Sequence, residues 1–188
     1  AISLNKVIKV SHIFVGNPDL IPVLKEIALK GPPDILSAIA EVLKDIQDKD
    51  VDAFLVEIFP KTSGKAQRDI IKLFSDRSIT EAAPLLLKFI SLRKYWEPEP
   101  DHSLQEQVCR TLGVLRSQVA EGALIEAARK PNLTTMLKPK PVIVRAAATW
   151  ALTQMPRSNR VNNALLQLKR DNSPLVRKAA ELSEIIRE

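Results

Sequence analysis

Apolar side chains recur along this chain at helical spacing. In the stretch PVIVRAAATWALTQM, residues Val144, Ala147, Ala148, Ala151, Leu152 and Met155 fall on one face of a helix. No segment sustains the alternate-residue pattern of a strand, so no sheet is expected. The pattern predicts helices over 2–15, 18–30, 33–46, 51–60, 65–77, 79–95, 103–117, 119–130, 141–156, 159–171 and 173–187. Pro18, Pro32, Pro33 and Pro174 sit where helices begin, a position that tolerates the missing N–H. Gly16, Gly31 and Gly64 fall in turns. Most connections are two to five residues, short enough to make consecutive helices antiparallel. Two are longer: the acidic, proline-containing Trp96–Asp101 and the stretch Pro131–Pro141.

Alternate helices align with one another. Segments beginning at Ile35, Ala66, Leu104, Val144 and Val176 share an apolar pattern, at spacings of 31, 38, 40 and 32 residues. The two wide spacings contain the two long connections. A two-helix unit recurring at this period indicates an all-α solenoid, in which each pair buries its apolar face against its neighbours. About five antiparallel pairs are expected in one domain over residues 1–188, with the helix Ile2–Val15 as half of a sixth. The final helix carries Glu181, Glu184, Arg187 and Glu188, which suits a terminal helix with one solvated face.

Two stretches carry a more specific pattern. Val144-Arg145 is followed by Ala146-Ala147-Ala148 and Leu152; Asp171-Asn172-Ser173-Pro174-Leu175-Val176-Arg177 is followed by Lys178-Ala179-Ala180. Both resemble the second helix of a HEAT repeat, and Glu81-Ala82-Ala83-Pro84-Leu85-Leu86 resembles the first helix of one. The motif is confined to residues 142–186; the earlier pairs share only spacing and apolar pattern. The resemblance implies a right-handed superhelix whose concave surface, lined by second helices, holds an extended or helical protein. It also implies that a repeat arginine braces the array by pairing with a loop aspartate. Asp171 is placed to serve Arg177 in this way. Arg145 has Pro139-Lys140-Pro141 at the matching place, which leaves its partner open: a bracing role within the array is the first reading, and contact with a ligand the second.

Composition narrows the picture. Aromatic residues make up 4% of the 188, so the interior is expected to be aliphatic. The lone Cys109 has no internal disulfide partner, no apolar stretch approaches the roughly 20 residues of a membrane span, and no signal-peptide layout opens the chain. These features suggest a cytoplasmic domain. The first residue is not Met, which processing or excision from a longer chain would explain.

Groups suited to catalysis are sparse. His12 and His102 lack ligand neighbours at helical spacing, so no metal is expected. His102, beside Asp101, reads as part of a helix start, and mid-helix Cys109 as a partly buried, inert thiol. The five glycines form no phosphate cradle, and Glu97 and Glu99 lie in a proline-rich loop. Neither the glycosylase nor the bilin-lyase constellation found on HEAT-like proteins is matched. An enzyme is therefore not expected, nor any cofactor.

The net charge of +6 is unevenly spread. Asp34–Glu57 holds seven acids against Lys44 and Lys49, whereas Arg129–Lys178 holds eleven bases against Asp171 alone. Lys138, Lys140, Arg157 and Arg160 fall in loops that stacking would align as a positive strip. Trp150 flanks the core face, suited to packing between repeats or to exposure on the concave side. Tyr95 and Trp96, on the acidic loop, read either as an interface anchor or as a lid on the preceding helix. The function expected is a non-catalytic protein–protein scaffold whose partner the sequence does not name; the strip suits an acidic protein surface or is simply a solvated face. Lys138, Lys140, Arg145, Arg157, Arg160, Tyr95 and Trp96 are the candidate contacts. Backbone-directed nucleic-acid binding by the basic ridge over 129–178 is the alternative. Sparse aromatics there count against single strands.

Overall fold

A computed structural model describes residues 21–30, 33–44, 46, 48–91, 101–130 and 140–185. All regular structure among them is helical. The chain divides into two compact units, Ala1–Ile79 and Thr80–Glu188. The expected helix over 2–15 lies outside the described residues.

The first unit contains α1 (Ile21–Lys30), α2 (Pro33–Leu43), α3 (Lys49–Ile58) and α4 (Gly64–Asp76). Pro33 opens α2, as the proline punctuation predicts. The side chain of Asp48 caps α3 by accepting from the Asp50 N–H at 2.7 Å. Gly64 starts α4 at φ +58°, a left-handed conformation that other residues adopt only under strain. Helix α2 packs on α4, and α1 lies against α2 and α3. The core is not purely aliphatic, as the low aromatic content suggested. Phe54, Phe59 and Phe74 are fully buried, and the rings of Phe59 and Phe74 meet edge to face at 5.2 Å.

The second unit contains α5 (Ala83–Ile90), α6 (His102–Leu115), α7 (Glu121–Ala128), α8 (Val142–Gln154), α9 (Asn159–Leu168) and α10 (Pro174–Ile185). Single 3₁₀ turns lead into α5 and α7, at Thr80–Ala82 and Gln118–Ala120. The helix expected over 79–95 is therefore shorter: Ser91 turns to ψ 158° and its hydroxyl closes the Leu87 carbonyl at 2.7 Å. Asp101 caps α6 through the N–H groups of Ser103 and Leu104, at 3.0 and 3.1 Å. His102 stands beside that cap, at the helix start where the sequence placed it.

Helix α8 is the hub of this unit, packing on α6, α7, α9 and α10. All six residues of its apolar face from Val144 to Met155 are buried. The five aligned sequence segments fall on α2, α4, α6, α8 and α10, so the repeat reports alternate helices throughout. Small residues set the spacing between α6 and α8. A Cβ added at Gly113 would stand 2.7 Å from the Ala151 Cα, 2.9 Å from its Cβ and 3.1 Å from the Trp150 ring. The two helix axes approach closely because that side chain is absent.

Replacing a mid-helix glycine with alanine ordinarily gains about 1 kcal/mol. Gly113→Ala instead forces backbone apart, so a loss of about 1–3 kcal/mol is expected. Thermal unfolding of the purified chain checks the sign: a raised midpoint would mean the helices are not in contact at this point.

Candidate functional site

The bases of the C-terminal half divide into two groups once their partners are traced. One group closes helix ends. The last carbonyls of a helix have no partner within it, and a cation there also opposes the helix dipole. At the end of α5, buried Gln105 donates to the Phe89 carbonyl at 2.8 Å, and the Lys140 Nζ donates to the Ile90 carbonyl at 2.8 Å. At the end of α7, Arg145 Nε donates to the carbonyls of Ala128 and Arg129, at 3.3 and 3.1 Å. Just beyond α9, Lys130 Nζ donates to the Arg170 carbonyl at 3.0 Å and the Asn172 side chain at 3.2 Å.

Arg145 also pairs with Asp171, with side chains only 7% and 1% exposed. This corrects the bracing expected from the repeat pattern. The Asp171 carboxylate serves Arg145 of the preceding helix pair, and its Oδ1 accepts the Ser173 N–H at 2.8 Å. Arg177 binds the main chain of the same loop, donating to the carbonyls of Asp171 and Asn172 at 2.7 and 3.0 Å. Arg145 is thus buried and committed to its own fold, not offered to a partner. The cause is tertiary: folding places its guanidinium between the end of α7 and the loop before α10.

A comparable arrangement in the first unit had no sequence signal. Arg77 donates to Asp52 at 2.6 Å and to the carbonyls of Ile46 and Asp48 at 2.6 and 3.0 Å. Its partners lie 25 to 31 residues away, so no local pattern marks it.

The second group of bases is exposed. Arg157 and Arg160 lie at the turn into α9, where Ser158 caps the helix by accepting from the Val161 N–H at 3.1 Å. Arg160 Nε pairs with Glu121 at 3.6 Å, and the Ser158 hydroxyl donates to the same carboxylate at 3.0 Å. Two hollows flank Arg160. One, of about 450 Å³, is walled by Val119, Gly122, Pro156 and Arg157. The other, of about 590 Å³, runs between α7 and α9 and carries Arg129, Lys130, Asn163, Gln167 and Arg170. Of the expected strip, Arg157 and Arg160 therefore lie together, while Lys140 is half-buried at the end of α5. Lys138, Tyr95 and Trp96 lie outside the described residues.

Trp150 is half-buried between α6 and α8, with the Arg110 guanidinium 5.8 Å from its ring centroid. Arg110 is held in turn by Glu106 at 2.9 Å. The even-numbered helices also carry exposed apolar residues: Val114 (42% exposed) on α6, Ile143 (49%) on α8 and Leu175 (59%) on α10.

Among the described residues, no group of three or more His, Cys, Asp or Glu side chains is placed to hold a metal ion, and no helix is long and apolar enough to cross a membrane. Cys109 is more deeply buried than expected. Burial pushes its thiol up to about 12, opposed by the charges of Lys140 and Arg110 and reinforced by Glu106. Compared with known proteins, the chain matches no family model and no curated protein.

Two outcomes are expected. Removing one partner of a buried ion pair costs about 3–5 kcal/mol. Arg145→Ala should lower the unfolding midpoint accordingly, and the Arg145→Met, Asp171→Leu double variant should recover much of the loss in calorimetry. Cys109 should resist Ellman's reagent at pH 8 until denaturant is added. An unfolded thiol ionises near 9.0 and the native one near 12, so stability should decline as pH rises between those values. Rapid labelling of the native chain would contradict this placement.

Proposed function

We propose that the chain is a non-catalytic scaffold of HEAT-like repeats that binds a protein partner. Within Thr80–Glu188, we infer that the pairs α5/α6, α7/α8 and α9/α10 stack as turns of a right-handed solenoid. The support is their packing in chain order: α6 on α8, α8 on α10, and α5 and α9 each on α7. The close contact of Gly113 with Ala151 and Trp150 fits neighbouring second helices laid side by side.

The observation that carries the binding role is the exposed face of those second helices. Equivalent repeat positions hold Ile143 and Leu175 in one column, and Arg110, Trp150 and Leu182 in another. Single exposed apolar residues are ordinary on any surface. Here they recur at the same repeat position on α8 and α10, beside a half-buried tryptophan stacked by an arginine. A surface that combines aromatic, aliphatic and arginine side chains matches the centre of a protein interface. The alternative, a strip for phosphate backbones, has less support because Lys140 and Arg145 are committed to main-chain carbonyls.

The test is recovery of a partner by the purified chain and by an Ile143→Glu, Leu175→Glu variant, each checked by circular dichroism. Both residues are exposed, so the variant should fold with stability unchanged to within about 0.5 kcal/mol. It should lose the protein that the wild type retains. Equal recovery by both would remove this face from the proposal.

A further inference from the structure

The groove between α7 and α9 is built differently from the face of the even-numbered helices. Its floor is apolar: Ile125 from α7 with Ala164 and Leu168 from α9. Asn163 and Gln167, one helical turn apart on α9, also line it. Arg129, Lys130, Arg160 and Arg170 supply four cations. Of these, Arg129 pairs with Glu126 and Arg160 with Glu121. Lys130 donates to the Arg170 carbonyl and the Asn172 side chain, and neither Lys130 nor Arg170 pairs with a carboxylate among the described residues. The groove's other acid, Asp171, is occupied by Arg145 and by the Ser173 N–H. The groove's cations therefore outnumber the carboxylates that pair with them.

We propose that this groove binds an acidic segment of a partner protein in extended conformation. Helix α7 has eight residues and α9 ten. At about 1.5 Å per residue the groove runs about 12–15 Å, room for about four extended residues at roughly 3.3 Å each. Chemistry selects a peptide over a phosphate backbone. Side-chain amides both donate and accept, matching the N–H and C=O groups of an extended main chain, whereas phosphates only accept. The apolar floor takes an aliphatic side chain, for which a nucleic-acid backbone has no counterpart. The cationic rim then complements flanking carboxylates and speeds their encounter. The site shares no residue with the face that carries Ile143 and Leu175, and it stands whether or not that face binds anything.

The test uses the full chain and a fluorescein-labelled peptide, EEDLEED, followed by anisotropy at low and physiological salt. The peptide should bind, and replacing its leucine with glycine should weaken it. Arg160→Glu with Arg170→Glu, reversing two exposed charges, should weaken binding by about tenfold or more. Ala164→Phe fills the floor without changing charge and should weaken it by a similar factor. The Ile143→Glu, Leu175→Glu variant should bind the peptide as the wild type does. Circular dichroism confirms that each variant is folded. Absence of peptide binding at low salt would overturn the proposal. So would binding untouched by Ala164→Phe, tighter binding of a short DNA duplex than of the peptide, or loss confined to the Ile143→Glu, Leu175→Glu variant.

Discussion

Every helix leaves its last carbonyls without partners, and an array of short helices has many such ends close to its core. In Thr80–Glu188 the donors come from other elements of the unit: Gln105 and Lys140 to α5, Arg145 to α7, and Lys130 to the turn after α9. Arg145 is the most demanding of these, because burying a guanidinium is costly unless its charge and its donors are both satisfied. Asp171 meets the charge, and the carbonyls of Ala128 and Arg129 accept from Nε. One side chain thereby ties α8 to the end of α7 and to the entry of α10. Arg77 does the same for the loop before α3 in the first unit.

This constraint changes the meaning of the charge distribution. A basic C-terminal half looks at first like one binding strip. Several of its members, Lys130, Lys140, Arg145 and Arg177, are donors to main-chain carbonyls, so part of the positive charge is structural. Among the exposed bases, Arg129, Arg157 and Arg170 line the hollows that flank Arg160. The separation follows from packing: α6 and α8 close tightly over glycine and alanine, whereas α7 and α9 leave an open groove between them. The two sets of helices thus offer different chemistry: exposed aliphatic residues with a half-buried tryptophan on α6, α8 and α10, and a groove with several cations between α7 and α9.

The helical pattern was legible because it depends on residues three and four apart. The five aligned segments fall on alternate helices, Pro33 and Pro174 open theirs, and the face from Val144 to Met155 is buried as its spacing requires. Helix ends were less legible. The 3₁₀ turns before α5 and α7 keep the apolar spacing roughly in phase, so the pattern overran the true helix starts. The low aromatic content, read over the whole chain, concealed that three phenylalanines are concentrated in the core of the first unit.

Sequence by itself determined the helical elements of the described residues, their alternation, and the apolar face from Val144 to Met155. Only tertiary structure decided which cations are spent inside the fold. Arg145 finds its carbonyls 16 and 17 residues back and its carboxylate 26 residues ahead, and Lys140 closes a helix 50 residues earlier. Local spacing carries no information over such distances. An arginine that braces the core and one that faces solvent are written with the same letter, and only the placement of distant carbonyls and carboxylates tells them apart.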